Sequence, residues 1–295
     1  MEVKYIITGR EAGRTVENFL YKDMGFSRTM IRKLKRTAGV RVNGKPVFFS
    51  DRLKAGDILY VPLDLDDDCE AGFEPQDIHI DIIHEDPHIL VVNKPANMLV
   101  HPVAHEQHNT LANAVLFHYS KQNLKVAFRP VSRLDRDTSG LLVVAKNAHV
   151  GYQLAKQLKT GEFKRYYLGV VHGLVQQPQA VIALPIGRCK DGRVRHEINF
   201  KGRHSITHYW VVNHLGSNTV VKLRLETGRT HQIRVHMGAI GYPLVGDTLY
   251  GGSCCGINRQ ALHCQRLIFK HPITGELLTL DAPLPKDMQK LINDI

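Results

Sequence analysis

Long apolar runs, regularly spaced cysteines and nucleotide-binding glycine motifs are all missing from this sequence. No apolar stretch approaches the roughly 20 residues a helix needs to span a bilayer, which excludes a helical membrane protein, and no membrane partner is expected. Five cysteines in 295 residues are an odd number in a large chain. That argues against a disulfide framework and for a reducing compartment. The opening Met1-Glu2-Val3-Lys4-Tyr5 has no secretory apolar core, and a cytoplasmic protein is expected. Neither a P-loop nor a dinucleotide-binding fingerprint is present. Cys254, Cys255, His263 and Cys264 lack the two-residue spacing of a zinc knuckle. No metal and no cofactor is expected.

Acidic residues are few, 28 against 39 lysines and arginines, for a formal net charge of +11. The imbalance is segregated. Residues 1–62 hold 13 basic and 6 acidic side chains, whereas residues 64–86 hold ten acidic residues and no lysine or arginine. Two basic bodies joined by an acidic strap point to two polyanion-binding surfaces.

Residues 12–62 read as a small domain. Thr15 opens a short helix, and Ser27 is placed to cap a second one, Arg28 to Lys35, whose Met30, Ile31 and Leu34 form an apolar stripe. Arg28, Arg32, Lys33, Lys35 and Arg36 make that helix strongly basic. An Asn43-Gly44 turn follows within a predicted hairpin, then Ile58–Val61 as a strand. Residues 63–77 read as an extended acidic linker without the glycine and terminal glutamate of a calcium loop. Residues 78–295 form one long domain. Its short strands are many (Ile78–Ile83, Ile89–Val92, Leu141–Val144, Tyr166–Val171, Ser205–Val212, Val220–Leu225) and its helices few (Thr110–His118, Val150–Leu158). The fold class is therefore α+β around a mixed, mainly antiparallel sheet.

The chemistry concentrates in Arg133-Leu134-Asp135-Arg136-Asp137-Thr138-Ser139-Gly140-Leu141-Leu142. Cationic neighbours favour the charged form of a carboxylate, which suits Asp135 to act as a nucleophile or charge stabiliser rather than as a proton donor. Lys164-Arg165-Tyr166 and Thr227-Gly228-Arg229-Thr230-His231-Gln232-Ile233-Arg234-Val235-His236 complete the set. Arg229 and His231 either contact a phosphate of the polyanion or brace their loop. His236, placed on a strand, is read as structural, and Lys94, His101 and Asp247 are equally open to a scaffold role.

These motifs, in this order and spacing, resemble the catalytic domain of the RluA-type pseudouridine synthases over residues 78 to 285. Phe26-Ser27-Arg28, the basic helix, Val42-Asn43-Gly44-Lys45 and Ala55-Gly56-Asp57-Ile58 resemble a small α/β S4 RNA-binding domain. The resemblance implies isomerisation of uridine to pseudouridine in RNA, with Asp135, Tyr166 and Arg234 as catalytic residues. Asp135 would either attack the sugar or base, or stabilise glycosidic cleavage and take up a 2′ proton. Arg234 would pair with it, Arg133 would fill the gap left by the flipped nucleotide, and Tyr166 would stack on uracil and relay a proton at C5 through its hydroxyl. Arg28, Arg32, Lys33, Lys35, Arg229 and His231 would contact RNA.

Two positions depart from the family pattern. Ser132 replaces the usual histidine before Arg-Leu-Asp, and Asn97 replaces the usual glycine after Lys-Pro-Ala. Large-subunit ribosomal RNA is the expected substrate, with transfer RNA as the alternative. No obligate protein partner is inferred, and a monomer is expected. A catalytically inactive RNA-binding ribosome-assembly protein is the rival from another class. A base-excising glycosidase, which would need a second working carboxylate such as Asp137, is a further one.

Overall fold

The computed structural model describes residues 2–37, 39–63, 73–189 and 195–293. In the small domain the elements run β1 (Glu2–Ile6), α1 (Val16–Lys22), α2 (Arg28–Thr37), β2 (Arg41–Val42), β3 (Lys45–Pro46) and β4 (Ile58–Pro62). Thr15 caps α1 through its side chain, and Ser27 Oγ accepts from Met30 N at the start of α2, as their sequence positions predict. Asn43 and Gly44 both take positive φ, 52° and 81°, the geometry of a type I′ hairpin turn. The expected domain start at residue 12 is corrected. Glu2–Ile6 pairs with Ile58–Pro62, and Ile7 lies in the small core beside Phe19, Leu34 and Leu59. Of the expected linker, residues 64–72 lie outside the described residues. Leu63 belongs to the small core, and Phe73 packs against the large one.

The large domain continues with β5 (Asp81–Glu85), β6 (Ile89–Lys94), α3 (Leu111–Lys121), β7 (Arg129–Pro130), β8 (Ser139–Ala145), α4 (Ala148–Thr160), β9 (Lys164–His172) and β10 (Gln179–Ile182). It then runs through β11 (Ile186–Arg188), β12 (His196–Ile198), β13 (Thr207–Leu215), β14 (Asn218–Leu225), α5 (Gln232–Ala239), β15 (Leu262–Lys270), β16 (Leu277–Asp281) and α6 (Lys286–Asn293). Ten strands form one sheet in the order β10-β13-β14-β9-β15-β8-β6-β5, with β16 on β15 and β7 on β8. Its pairings are antiparallel except for β8 with β15, so the α+β expectation is met. Apolar residues of β6 and β8 are wholly buried against α3 and α4, which explains why these strands read as continuous apolar runs.

The small domain docks on α4. Gln153 Nε2 donates to the carbonyls of Met24 and Gly25, both at 2.9 Å, and His149 stacks on Phe26 with ring centroids 3.9 Å apart. Gly25 has φ +67°, and a β-carbon there would lie 2.3 Å from the Gln153 amide nitrogen. A side chain at that position would both strain the turn and displace the amide.

Candidate active site

Asp135 sits in the loop between β7 and β8, and distant residues hold that loop from two sides. Lys94 is fully buried and donates to the carbonyls of Pro95 (2.7 Å), Met98 (2.9 Å) and Arg136 (2.9 Å). Its three N–H groups are thereby satisfied, as burial of an ammonium requires. Arg259 donates to the Asp137 carbonyl (2.9 Å) while its other nitrogens fork onto Asp287 of α6 at 2.7 and 2.9 Å. The loop closes on itself through Thr138 N and the Asp135 carbonyl, 3.1 Å. Gly140 then enters β8 with φ +115°, and a β-carbon there would meet the Cys264 carbonyl oxygen at 2.3 Å. The Ser-Gly break in the motif thus permits the close parallel approach of β8 to β15.

The arginines flanking Asp135 in sequence are not its hydrogen-bonding partners. Arg133 is exposed at the rim of the cleft, and Arg136 pairs with Glu106. The partner is Arg234 on α5, whose guanidinium lies 3.4 Å from Asp135 Oδ2. Arg234 is itself held by a two-point fork on Asp247, at 2.8 and 2.9 Å, and Asp247 is only 2% exposed. Burial alone would lower the arginine's pKa, but the Asp247 hydrogen bonds and charge, with the charge of Asp135, carry it above its ordinary value. The result is a rigid cation with one face turned to a partly exposed carboxylate. Asp247 therefore orients the arginine, a role its sequence context left open.

The placement of Tyr166 in the site is corrected. Side chains alternate along a strand, so Tyr166 and its neighbour face opposite sides of β9. Tyr167 is buried and lines the cleft with Asp135, Arg234 and Leu262, whereas Tyr166 lies under the Lys222 ammonium, 4.7 Å from its ring centroid. Burial and the neighbouring Cys264 raise the Tyr167 hydroxyl's pKa, and Asp135 adds to the rise. The sequence motif contains two consecutive tyrosines, and spacing alone does not choose between them. Replacing Tyr167 with leucine is expected to lower turnover about 10- to 100-fold, the scale of one lost base–aromatic stack. Tyr166→Leu should stay within about threefold, and measuring tritium release from C5-labelled uridine transcripts with both variants distinguishes the two.

Arg229 braces its loop. Its Nε and one terminal nitrogen both donate to the His204 carbonyl, at 3.2 and 3.1 Å. His231 lines the cleft and precedes α5 with φ +56°. His236 lies on α5 rather than on a strand. It is buried, with Nδ1 against Thr207 Oγ1 and Nε2 against the Leu184 carbonyl, both 2.9 Å, so the structural reading of it holds. A separate groove of about 530 Å³ lies between α1 and α2, lined by Tyr21, Arg28, Arg32 and Lys35 among others. Positions 28, 32 and 35 share one helix face. Lys33 lies about a quarter turn away and does not line the groove.

Known proteins similar in sequence and fold point to one family. The family described as RNA pseudouridylate synthase matches residues 88–239, and the RluD ribosomal pseudouridine synthase N-terminal domain matches residues 3–59. An uncharacterised RNA pseudouridine synthase of Bacillus subtilis is 40% identical over 92% of this chain and 95% of its own. The ribosomal large subunit pseudouridine synthase D of Vibrio cholerae is 39% identical over 90% and 86%. The solved structure of human RNA pseudouridylate synthase domain containing 1 superposes with a TM-score of 0.59 at 29% identity, covering 72% of this chain and 87% of that one. With a carboxylate fixed by a shared arginine at the mouth of a basic cleft, and a family match over half its length, this chain belongs to the RNA pseudouridylate synthases of the RluA type, isomerases that act on RNA.

Proposed function

We propose that this protein converts uridine to pseudouridine in large-subunit ribosomal RNA, as a cytoplasmic monomer. The observation that carries the reading is the Asp135–Arg234–Asp247 chain within the cleft. The ribosomal target is supported by relatives from Vibrio cholerae and Xanthomonas campestris, 39% and 37% identical over 90% and 91% of this chain, both named ribosomal large subunit pseudouridine synthase D.

In this reading the target nucleotide leaves its stack and Arg133, exposed beside the cleft, fills the vacancy. Asp135 then works at the ribose or base. The N1–C1′ bond breaks, the uracil turns, and C5 bonds to C1′. Arg234 keeps the carboxylate oriented, and the Tyr167 ring stacks on the base. Mapping pseudouridines in a deletion strain against its parent tests the target. Loss of one or more sites in the large-subunit RNA is expected, and losses confined to transfer RNA would overturn the assignment.

The small domain, S4-like in this proposal, would hold RNA through the groove face of α2. Arg28, Arg32 and Lys35 contribute three cations there, with Lys35 also paired to Glu17 at 2.8 Å. Reversing all three to glutamate should weaken RNA binding and reduce the salt slope of log K by about 2–3. A slope equal to wild type would mean that this face points away from RNA.

A further inference from the structure

We propose that the outer face of the large sheet, back to back with the cleft, is a second RNA-binding surface that holds an unpaired strand of the substrate. The inference rests on the reading of this protein as an RNA-modifying enzyme. It adds a contact that neither the cleft nor the groove of the small domain supplies.

Side chains alternate along β9, so Tyr167 faces the cleft and Tyr166 faces outward. Strand register extends the outward row across six strands. Val181, His208, Arg224, Tyr166, Arg266 and Asp281 stand side by side from β10 to β16. Two residues along in one direction, Trp210 of β13 pairs with Lys222 of β14. Two residues along in the other, Lys164 of β9 pairs with Ile268 of β15. Further toward the end of β9 the same face is covered, since Val170 and Val220 pack with Met288 and Leu291 of α6. The rows around Tyr166 are open. Lys164, Lys222 and Arg266 are exposed, and Val181 at the edge is 56% exposed.

The open rows set cations beside aromatic rings. Lys222 Nζ stands 4.7 Å from the Tyr166 ring centroid, and the rings of Trp210 and His208 lie within 10° of parallel with centroids 6.0 Å apart. Glu226 takes up part of the charge, 2.6 Å from His208 Nε2 and 3.4 Å from Arg224, and Asp281 pairs with Arg266 at 2.6 Å. Among the described residues, Lys164 and Lys222 join no ion pair. The face therefore keeps a positive excess next to its rings.

That combination fits single-stranded RNA. Every base has a π face that can stack on a ring, and lysine on its flexible stem can turn from ring to phosphate. When Lys222 makes that turn, the Tyr166 ring is freed for a base. A neutral protein partner would instead bury both lysines without counter-charge. An RNA that touches both faces of the sheet is larger than a single stem-loop, so the surface selects a folded substrate.

Trp210 is the only tryptophan in the chain, so its emission reports occupancy of this face. The probe is an oligoadenylate of about a dozen nucleotides, which contains no uridine and is not turned over. Titrated into the full-length protein at low salt, it should quench Trp210, with log K falling against log salt at a slope of about −2. Lys164→Glu combined with Lys222→Glu should weaken the binding about tenfold or more and remove about 1–2 from the slope. Tyr166→Leu should weaken it about fivefold or more and leave the slope alone. Reversing Arg28, Arg32 and Lys35 should not alter the quenching. With C5-tritiated large-subunit RNA, the two lysine reversals should raise KM about tenfold and hold kcat within about threefold. Absence of quenching in the wild type, or quenching that the lysine reversals leave unchanged, overturns the proposal. Equal quenching by polyglutamate would assign the face to acidic peptides and overturn it as well. Quenching by oligoadenylate in a protein that releases no tritium would sink the isomerase reading and leave this surface standing.

Discussion

Asp135→Asn is expected to reduce turnover by about four orders of magnitude while leaving both RNA affinity and folding nearly unchanged. Asparagine keeps the size and polarity of the side chain and removes the charge that the proposed chemistry uses. The structural cost is small because the carboxylate is a quarter exposed and its contact to Arg234 is long, 3.4 Å. A partly exposed pair of that kind contributes about 1 kcal/mol or less. The loop itself is held by Lys94 and Arg259 through backbone carbonyls, which the substitution does not touch. Tritium release, filter binding and thermal unfolding on the same preparation separate the three quantities. Near-wild-type tritium release would exclude the proposed role, and a large fall in Tm would mean that Asp135 is structural.

The reverse pattern is expected at Asp247. This carboxylate is almost fully buried and takes both arms of the Arg234 fork. Asp247→Ala leaves the guanidinium buried without its main partner, which costs about 3–5 kcal/mol. For a chain of this size that corresponds to a Tm lower by roughly 5–8 °C. Turnover should fall as well, because the cation facing Asp135 loses its fixed direction. The informative variant removes the whole pair. Arg234→Met with Asp247→Leu replaces buried charges with apolar volume, which often restores stability. The double variant should therefore unfold close to the wild-type temperature and remain inactive. Recovery of activity along with stability would show that Arg234 serves the fold and not the reaction.

These two aspartates illustrate how unevenly the sequence reveals function. Asp135 is legible because its surroundings are local: the Arg-Leu-Asp run, the Thr-Ser-Gly break and the apolar strand beyond lie within ten residues. Asp247 acts on Arg234 across the turn that follows α5, and nothing at its own position distinguishes it from a loop residue. Lys94 and Arg259 are similar cases, bonded to the carbonyls of Arg136 and Asp137 from 42 and 122 residues away. Backbone carbonyls have no sequence signature, so the side chains that hold them have none either.

Other elements were readable for equally physical reasons. The helix caps at Thr15 and Ser27 and the Asn-Gly hairpin depend on neighbouring residues alone. The mainly antiparallel sheet follows from many short apolar strands interrupted by few helices. The first strand of the small domain was not readable. Glu2–Ile6 is short and mostly exposed, and it becomes a strand by pairing with Ile58–Pro62. Tyr166 and Tyr167 mark the limit most sharply, since consecutive strand residues face opposite sides and a one-residue shift exchanges site for surface. Strand parity there is set by the pairing of β9 with β14 and by the β15 irregularity between Cys264 and Arg266.

By itself, then, the sequence determined the reaction class and the α+β architecture and singled out Asp135 as the candidate carboxylate, because each is encoded in short contiguous patterns. Tertiary structure alone decided which tyrosine faces the cleft, which acid holds the arginine and which side chains brace the Asp135 loop. Those contacts join residues far apart in the chain, and their partners are fixed by sheet register and packing rather than by neighbouring sequence.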